Sequence, residues 1–221
     1  MSLLEAIPIL SVLTKKPRQI ESHSWDDRMC VSESDVNLFC WKRPQENCIE
    51  DYLIKCIAKE LAPISFFSNQ SELSEKLEEA RSSWEASYDP MGDVFWNDVL
   101  KISWDFLLFS ERGEGTVHLK VISDNACHKF HTDGYSLRLF TTYLGKGTQW
   151  LPENNVNRNA LGKTNELIVK DSNRIQQMET MEVGILKGEP RMERRTAHGI
   201  VHRSPEIEPT GEKRVILRVD I

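Results

Sequence analysis

Two potential metal ligands lie two residues apart in the run His131-Thr132-Asp133. In a β-strand, side chains at positions i and i+2 point to the same face, so an imidazole and a carboxylate would meet one metal ion there. A third ligand must come from a distant strand, and His202, 69 residues after Asp133, is the candidate we favour. Two histidines and one carboxylate form the facial triad that leaves open positions on a non-haem Fe(II) ion.

A basic residue that could bind a carboxylate follows the third ligand in the sequence. Arg214 lies 12 residues after His202. If both residues sit on adjacent antiparallel strands, the guanidinium can face the same interior and bind a carboxylate with two parallel hydrogen bonds. A 2-oxoglutarate co-substrate needs such a partner. Arg214 can equally be a surface or salt-bridging residue, and Arg218, four residues later in the same strand phase, is an alternative.

Three further side chains near this motif have a functional and a structural interpretation. Tyr143 can donate a hydrogen bond to a co-substrate carboxylate, or it belongs to the core. Arg138 can bind an acidic substrate, or it pairs with Asp133 behind the metal. Trp150 follows a glycine-rich turn, and packing is favoured over stacking on a substrate.

Two residues are rivals or additions to the proposed ligand set. His198 lies four residues before His202 in the same strand phase, which makes it the rival third ligand. Cys127 shares the strand phase of His131, and we expect it in a barrel core. The alternative is a soft extra ligand, which would favour zinc over iron.

The distribution of glycine indicates how the chain would position these residues. None of the 11 glycines lies in residues 1–91. Because helix interiors exclude glycine whereas β-rich domains need it at turns and bulges, we expect a helical N-terminal region (1–110) packing on a β-rich core (111–221). Apolar residues at spacings of three and four predict helices over 49–61, 73–84 and 95–109. Residues 1–45 have little period and should wrap the surface.

From Thr116 onwards the pattern is that of strands. Alternating or strongly apolar runs predict strands at 117–121, 137–143, 181–186 and 214–221. Short strands separated by Gly, Pro and Asn turns indicate a jelly-roll or cupin-like barrel, that is, an α+β fold with a C-terminal double-stranded β-helix. The polar run 151–177 is expected to be a long loop of the kind that is often functional.

Composition restricts the class of protein. The 39% apolar and 28% charged content is that of a globular protein. The N-terminal segment has its lysines after its apolar part, the reverse of a secretory signal, and no run approaches a membrane span, so we expect a cytoplasmic protein. Five cysteines without a CxxC pair argue against a disulfide framework or zinc ribbon. Residues 1–100 have a net charge of −8, which argues against a nucleic-acid-binding arm.

The order His-x-Asp, His and Arg, at these spacings, resembles the Fe(II)/2-oxoglutarate dioxygenase superfamily. The run HTDGYSLRLFTTYLGKGTQWLPE is similar to the corresponding segment of prolyl-hydroxylase-like enzymes, and the likeness covers about residues 116–221. The longer string CHKFHTDGYSLRLFTTYLGKGTQWLPENNVNR resembles a bacterial family named domain of unknown function 1826, for which no reaction is established. The superfamily resemblance implies Fe(II) held by the three ligands, 2-oxoglutarate on Arg214, and hydroxylation of a substrate C–H bond.

Two other functions use the same residues. A cupin-like accessory protein would bind zinc or iron through the same ligands without oxidative catalysis. A binding module would keep the barrel and hold no metal. No motif indicates the substrate, whether small molecule or protein, or the oligomeric state.

Overall fold

The computed structural model describes residues 15–85, 88–190 and 198–221. Within them, α1 (Asn47–Cys56), α2 (Leu73–Trp84) and α3 (Pro90–Leu107) precede the main run of strands, and the one-turn helix α4 (Asn165–Ile168) lies within it. Short 3-10 helices occupy Trp25–Ser32, Glu153–Asn155, Arg158–Ala160, Ser172–Arg174 and Glu208–Thr210. None of the described helices combines the length and the apolar character that crossing a membrane requires.

Ten strands are described along these residues. They are β1 (Arg18–Ser22), β2 (Val36–Trp41), β3 (Ile64–Asn69), β4 (Glu114–Ile122), β5 (Leu137–Leu144), β6 (Gln149–Leu151), β7 (Gln176–Gln177), β8 (Val183–Lys187), β9 (Val201–Arg203) and β10 (Arg214–Asp220). Seven of them form a mixed sheet in the order β1-β2-β8-β5-β10-β4-β3, and three form a small antiparallel sheet in the order β7-β6-β9.

The chain alternates between the two sheets after β4. An isolated bridge joins His131 to His202 beside the small sheet, β5 returns to the large sheet, β6 and β7 belong to the small one, and β8, β9 and β10 alternate again. An apolar cluster holds the sheets together, because it contains residues of β2, β5, β8 and β10 together with Trp150 of β6. The large sheet and the small sheet therefore face each other across one interior.

The helices cover the other face of the large sheet. Apolar residues of α1, α2 and α3 form a single cluster with the odd-numbered residues of β10, which are Val215, Leu217 and Val219. The even-numbered residues of the same strand consequently face the interior between the sheets. This alternation decides which polar side chains can meet the His131 region.

The expectation of a helical N-terminal region (1–110) is only partly correct, because α1, α2 and α3 share it with three strands. Strands β1, β2 and β3 lie within residues 15–110 and pair in the large sheet, with β2 next to β8 and β3 next to β4. Glycine was a poor guide because strand interiors, like helix interiors, disfavour it. The first 14 residues of the segment expected to wrap the surface lie outside the described residues. The boundary near residue 110 stays a prediction, and strands from both sides of it share one sheet.

Candidate metal centre

The structure brings His131, Asp133 and His202 together. One ligand atom from each lies within 4.8 Å of the others. His202 is in β9, and His131 is held opposite it by two backbone hydrogen bonds of 3.0 Å, from His131 N to His202 O and from His202 N to His131 O. Asp133 follows in a loop, so the strand expected over 131–133 is reduced to a single bridge, while the residues still converge.

The carboxylate of Asp133 is held at one oxygen and unpartnered at the other. Arg138 Nη1 donates to Oδ1. Oδ2 is buried, lies 3.4 Å from His202 Nε2, and receives no hydrogen bond from any described residue. Because an unsatisfied buried carboxylate oxygen is costly, this atom calls for a cation or a donor that the described residues do not supply.

A buried ionic network fixes the arginine that holds Asp133. Arg138 Nε donates to Asp220 Oδ1 at 2.5 Å. The other oxygen of Asp220 lies 3.0 Å from Arg218 Nε and 3.4 Å from His118 Nε2. Asp133, Arg138 and Asp220 are all buried, so the guanidinium is held between two carboxylates, and of the two Asp133 oxygens it leaves Oδ2 free to bind.

Both histidines present their Nε2 lone pairs to Asp133. Burial lowers the pKa of His202 to about 4, although the nearby Asp133 carboxylate opposes the shift, so the imidazole is neutral at pH 7. Its Nδ1 lies 3.3 Å from Ile200 O, and His131 Nδ1 lies 2.8 Å from Lys129 O. If each Nδ1 donates to its carbonyl, each Nε2 is an acceptor.

These acceptors fit a divalent transition metal. His131 Nε2 lies 3.7 Å from Asp133 Oδ1, and His202 Nε2 lies 3.4 Å from Asp133 Oδ2. Lone pairs at such distances repel each other unless a cation lies between them. A metal with ligand bonds of about 2.0–2.2 Å places adjacent ligand atoms about 3 Å apart, close to the distances observed. Two imidazoles and one carboxylate suit Fe(II) and also Zn(II).

A cavity of about 380 Å³ opens beside this cluster. Such a volume is within the usual range of small-molecule sites. Both histidines line it, as do Phe140 and Ile216 from the interior face of the large sheet. The candidate metal centre therefore borders a space that can admit a second molecule.

Arg214 lies on the interior face of β10, two residues before Ile216. Its side chain is fully buried; Nε donates to Lys146 O at 2.6 Å and Nη2 to Thr142 Oγ1 at 3.1 Å. Nη1 has no partner among the described residues. Desolvation alone lowers the pKa of Arg214 to about 10, and no carboxylate offsets it. The alternatives of a surface residue or an internal salt bridge are therefore wrong.

Tyr143 is on the opposite face of β5 and takes no part in this interior. Its hydroxyl donates to Asp98 Oδ2 at 2.6 Å, and its ring packs edge-on against Phe95 of α3. The suggestion that it contacts a co-substrate is wrong, because inward positions of β5 are even-numbered. Trp150 belongs to the apolar cluster between the sheets, in agreement with the packing interpretation.

Neither rival ligand joins the cluster. The side chain of His198 is 50% exposed and lies 3.4 Å from Glu189 Oε1. Cys127 is not in a barrel core as expected: it is exposed, with a positive φ of 58°, in a turn that lines the cavity. Among the described residues it does not belong to the group of converging ligand atoms.

Two features of the site carry no signal in the sequence pattern. Asn165, in the polar run 151–177, accepts a hydrogen bond from Phe130 N at 2.8 Å and donates to His128 O at 3.0 Å, which anchors the segment before His131. Thr148 lines the cavity, and its buried hydroxyl has no partner in the described part of the chain. Only the folded arrangement reveals either role.

Comparisons with known proteins give one family and several distant structures. A family model described as "Protein of unknown function (DUF1826)" matches residues 24–220. No curated protein matches the sequence at a significant level. Among solved structures, the chain is similar to a dioxygenase for auxin oxidation from Arabidopsis thaliana in a complex with 2-oxoglutarate (9% identity, 93% of this chain and 92% of that chain, TM-score 0.49). It is also similar to the rice dioxygenase for auxin oxidation (8%, 93% and 82%, 0.47) and to a Pseudomonas putida prolyl-4-hydroxylase (10%, 88% and 94%, 0.40).

Proposed function

The chain belongs to the DUF1826 family of proteins of unknown function, and we propose that it is a mononuclear non-haem Fe(II) oxygenase that uses 2-oxoglutarate to hydroxylate an organic substrate. One observation carries this proposal. A fully buried guanidinium without a carboxylate partner, Arg214, lies on the interior face of the same strand whose Asp220 supports the His131, Asp133 and His202 cluster.

The alternation of the chain between two facing sheets supports a double-stranded β-helix. The four central strands of the large sheet stand in the order β8-β5-β10-β4, and the small sheet continues from β7-β6-β9 to the bridge at His131. Antiparallel strands that alternate in this way form a closed jelly roll. We therefore assign the metal ligands to the small-sheet side and the carboxylate-binding arginine to the large-sheet side.

The residues have distinct roles in this proposal. His131, Asp133 and His202 would hold Fe(II) by their Nε2 and Oδ2 atoms, because Arg138 keeps the other oxygen of Asp133 engaged. Arg214 would bind the distal carboxylate of 2-oxoglutarate through its unpartnered Nη1. When bound, iron and 2-oxoglutarate together supply the activation of dioxygen that inserts an oxygen atom into a C–H bond.

Absorption spectroscopy under anaerobic conditions tests both halves of the proposal. We expect Fe(II) followed by 2-oxoglutarate to give a visible metal-to-ligand charge-transfer band. His131→Ala should abolish iron binding and the band together. Arg214→Gln should keep stoichiometric iron but raise the 2-oxoglutarate concentration needed for the band. His198→Ala, a change at an exposed histidine outside the cluster, is the matched control and should alter neither.

The same experiment separates the alternatives. Stoichiometric zinc that iron cannot displace would favour the metal-binding accessory protein. If iron binds but 2-oxoglutarate gives no band, the proposal that 2-oxoglutarate is the co-substrate is refuted, whereas the proposed metal centre is not. A protein with no affinity for either metal would refute the whole proposal in favour of a metal-free binding module.

A further inference from the structure

Several positively charged side chains line the cavity beside the candidate metal centre, and Arg214 is not one of them. Lys120 of β4 and Arg218 of β10 both belong to this lining. Lys120 pairs with Ile216 across the two strands, and Arg218 pairs with His118. Lys120 and Arg218 are therefore diagonal neighbours on one face, about 7–8 Å apart at the backbone, a separation that two long side chains can close around one small group.

Lys120 and Arg218 can each bind a further group. Arg218 Nε lies 3.0 Å from Asp220 Oδ2, yet this buried nitrogen has no hydrogen-bond partner among the described residues. Lys120 is half-buried and has no acidic partner within the described part of the chain. The one acidic residue that lines the cavity, Asp124, is exposed and accepts a hydrogen bond from Ala126 N.

The proposed metal and co-substrate do not account for this charge. A divalent metal and the two carboxylates of 2-oxoglutarate cancel each other, and Arg214 would engage the distal carboxylate. Arg138 and Arg218 face the carboxylates of Asp133 and Asp220. Lys120 remains uncompensated in a cavity whose low-dielectric walls strengthen its field, and such a site attracts an anion.

We propose that the substrate carries an oxyanion, either a carboxylate or a phosphate, and that Lys120 and Arg218 bind this group. The rest of the molecule lies on the apolar floor made by Phe140 and Ile216, beside the two histidines that line the same cavity. The cavity volume of about 380 Å³ restricts this molecule to a small organic acid or phosphate. Calling the ligand a substrate rests on the proposed oxygenase function, whereas anion binding by these residues does not.

Probe binding to the full chain tests the inference without turnover. Hexanoate, hexyl phosphate and the neutral hexanamide share one apolar chain and differ in the head group. Each is titrated into protein loaded with Mn(II) and 2-oxoglutarate, and the relaxation of probe protons caused by Mn(II) reports both affinity and proximity to the metal. Zn(II)-loaded protein gives the diamagnetic baseline. We expect at least one of the anions to bind about tenfold more tightly than hexanamide.

Variants then assign the affinity to residues. Lys120→Gln should weaken the anion about three- to tenfold and leave hexanamide unchanged, and Arg218→Gln should act in the same direction. Lys163→Gln, at an exposed lysine outside the cavity lining, is the matched control and should change nothing. Which of the two anions responds identifies carboxylate or phosphate as the recognised group.

Three results would overturn the inference: equal affinity for all three probes, no binding of either anion, or an anion affinity that Lys120→Gln leaves unchanged. An anion that displaces 2-oxoglutarate would assign Lys120 to the co-substrate and would also overturn it. If Mn(II) or 2-oxoglutarate fails to bind, the proposed function fails. The same probes, measured by saturation transfer on the unloaded protein, then still decide the inference.

Discussion

The charge state of Arg214 gives a prediction that separates a ligand-binding arginine from a structural one. Burial lowers the pKa of Arg214 from the ordinary arginine value to about 10. At 1.36 kcal/mol per pKa unit, keeping this guanidinium charged costs the folded protein about 3 kcal/mol. An arginine buried for stability would instead have its charge offset by an acidic partner.

Replacing Arg214 by methionine removes this cost together with two hydrogen bonds, to Lys146 O and Thr142 Oγ1. Each bond has a charged donor and contributes about 1.5–3 kcal/mol. Because the removed cost offsets most of this loss, the free energy of unfolding of the ligand-free Arg214→Met variant should lie between that of the wild type and about 2 kcal/mol below it. Affinity for 2-oxoglutarate should fall by about 2–5 kcal/mol, which is about 30- to 5,000-fold, because the carboxylate loses its buried partner.

Urea denaturation of the metal-free protein measures the first quantity, and the increase in melting temperature with added 2-oxoglutarate and Mn(II) measures the second. Arg138→Met is the matched control, since its guanidinium contacts the carboxylates of Asp133 and Asp220. Its loss leaves buried charges unpaired and should destabilise the fold by about 3–5 kcal/mol. If Arg214→Met is destabilised as much as Arg138→Met and still binds 2-oxoglutarate, the assignment of Arg214 is refuted.

Three further outcomes follow from contacts in and around the site. His131→Ala should reduce bound metal, measured by inductively coupled plasma mass spectrometry, from one equivalent to background, whereas His198→Ala retains it; equal loss in both would contradict the ligand set. Asn165 does not contact the proposed metal, but Asn165→Ala removes two hydrogen bonds to the segment before His131 and should weaken metal binding about tenfold. An unchanged metal affinity would mean that this segment keeps its position without Asn165. Alkylation at pH 8 followed by mass spectrometry should label the exposed Cys127 long before Cys40, because burial raises the pKa of Cys40 to about 12. Cys127→Ser should leave the metal stoichiometry unchanged, and a loss of metal would show that this thiol is a ligand.

The sequence predicted best those elements whose two faces differ. Helix α2 was predicted over its observed range because Leu73, Leu77, Ala80 and Trp84 form one buried stripe. Strand β10 was predicted because its inward and outward residues alternate in character. Strand β2 has no such contrast: Leu38 and Cys40 pack between the sheets while Phe39 packs under the helices. A strand buried on both faces shows no alternation, so its position cannot be read from periodicity.

Some residues of the candidate site could likewise be predicted from a local motif, whereas others depend on partners that are distant in the sequence. The convergence of His131, Asp133 and His202 could be predicted because the chain has only six histidines and because the His-x-Asp spacing brings two potential ligands together. The roles of Asp220 and Thr148 depend on burial and on partners distant in sequence, which no local pattern encodes. Of the two interpretations of Tyr143, the structure supports the core one, because its chemistry suited the site while its strand phase did not.

The interior face of β10 supplies one residue to each part of the proposed site. Its successive inward residues are Arg214, Ile216, Arg218 and Asp220, of which Asp220 supports the metal carboxylate through Arg138 and Ile216 forms the apolar floor. Arg214 and Arg218 are four residues apart, which is about 13 Å along an antiparallel strand. Arg214 directs its side chain to Lys146 O and Thr142, whereas Arg218 directs its own to Asp220. Because the two guanidinium groups have their contacts at different ends of the strand, the two proposals together assign a separate oxyanion to each: the distal carboxylate of 2-oxoglutarate to Arg214 and the anionic group of the substrate to Arg218.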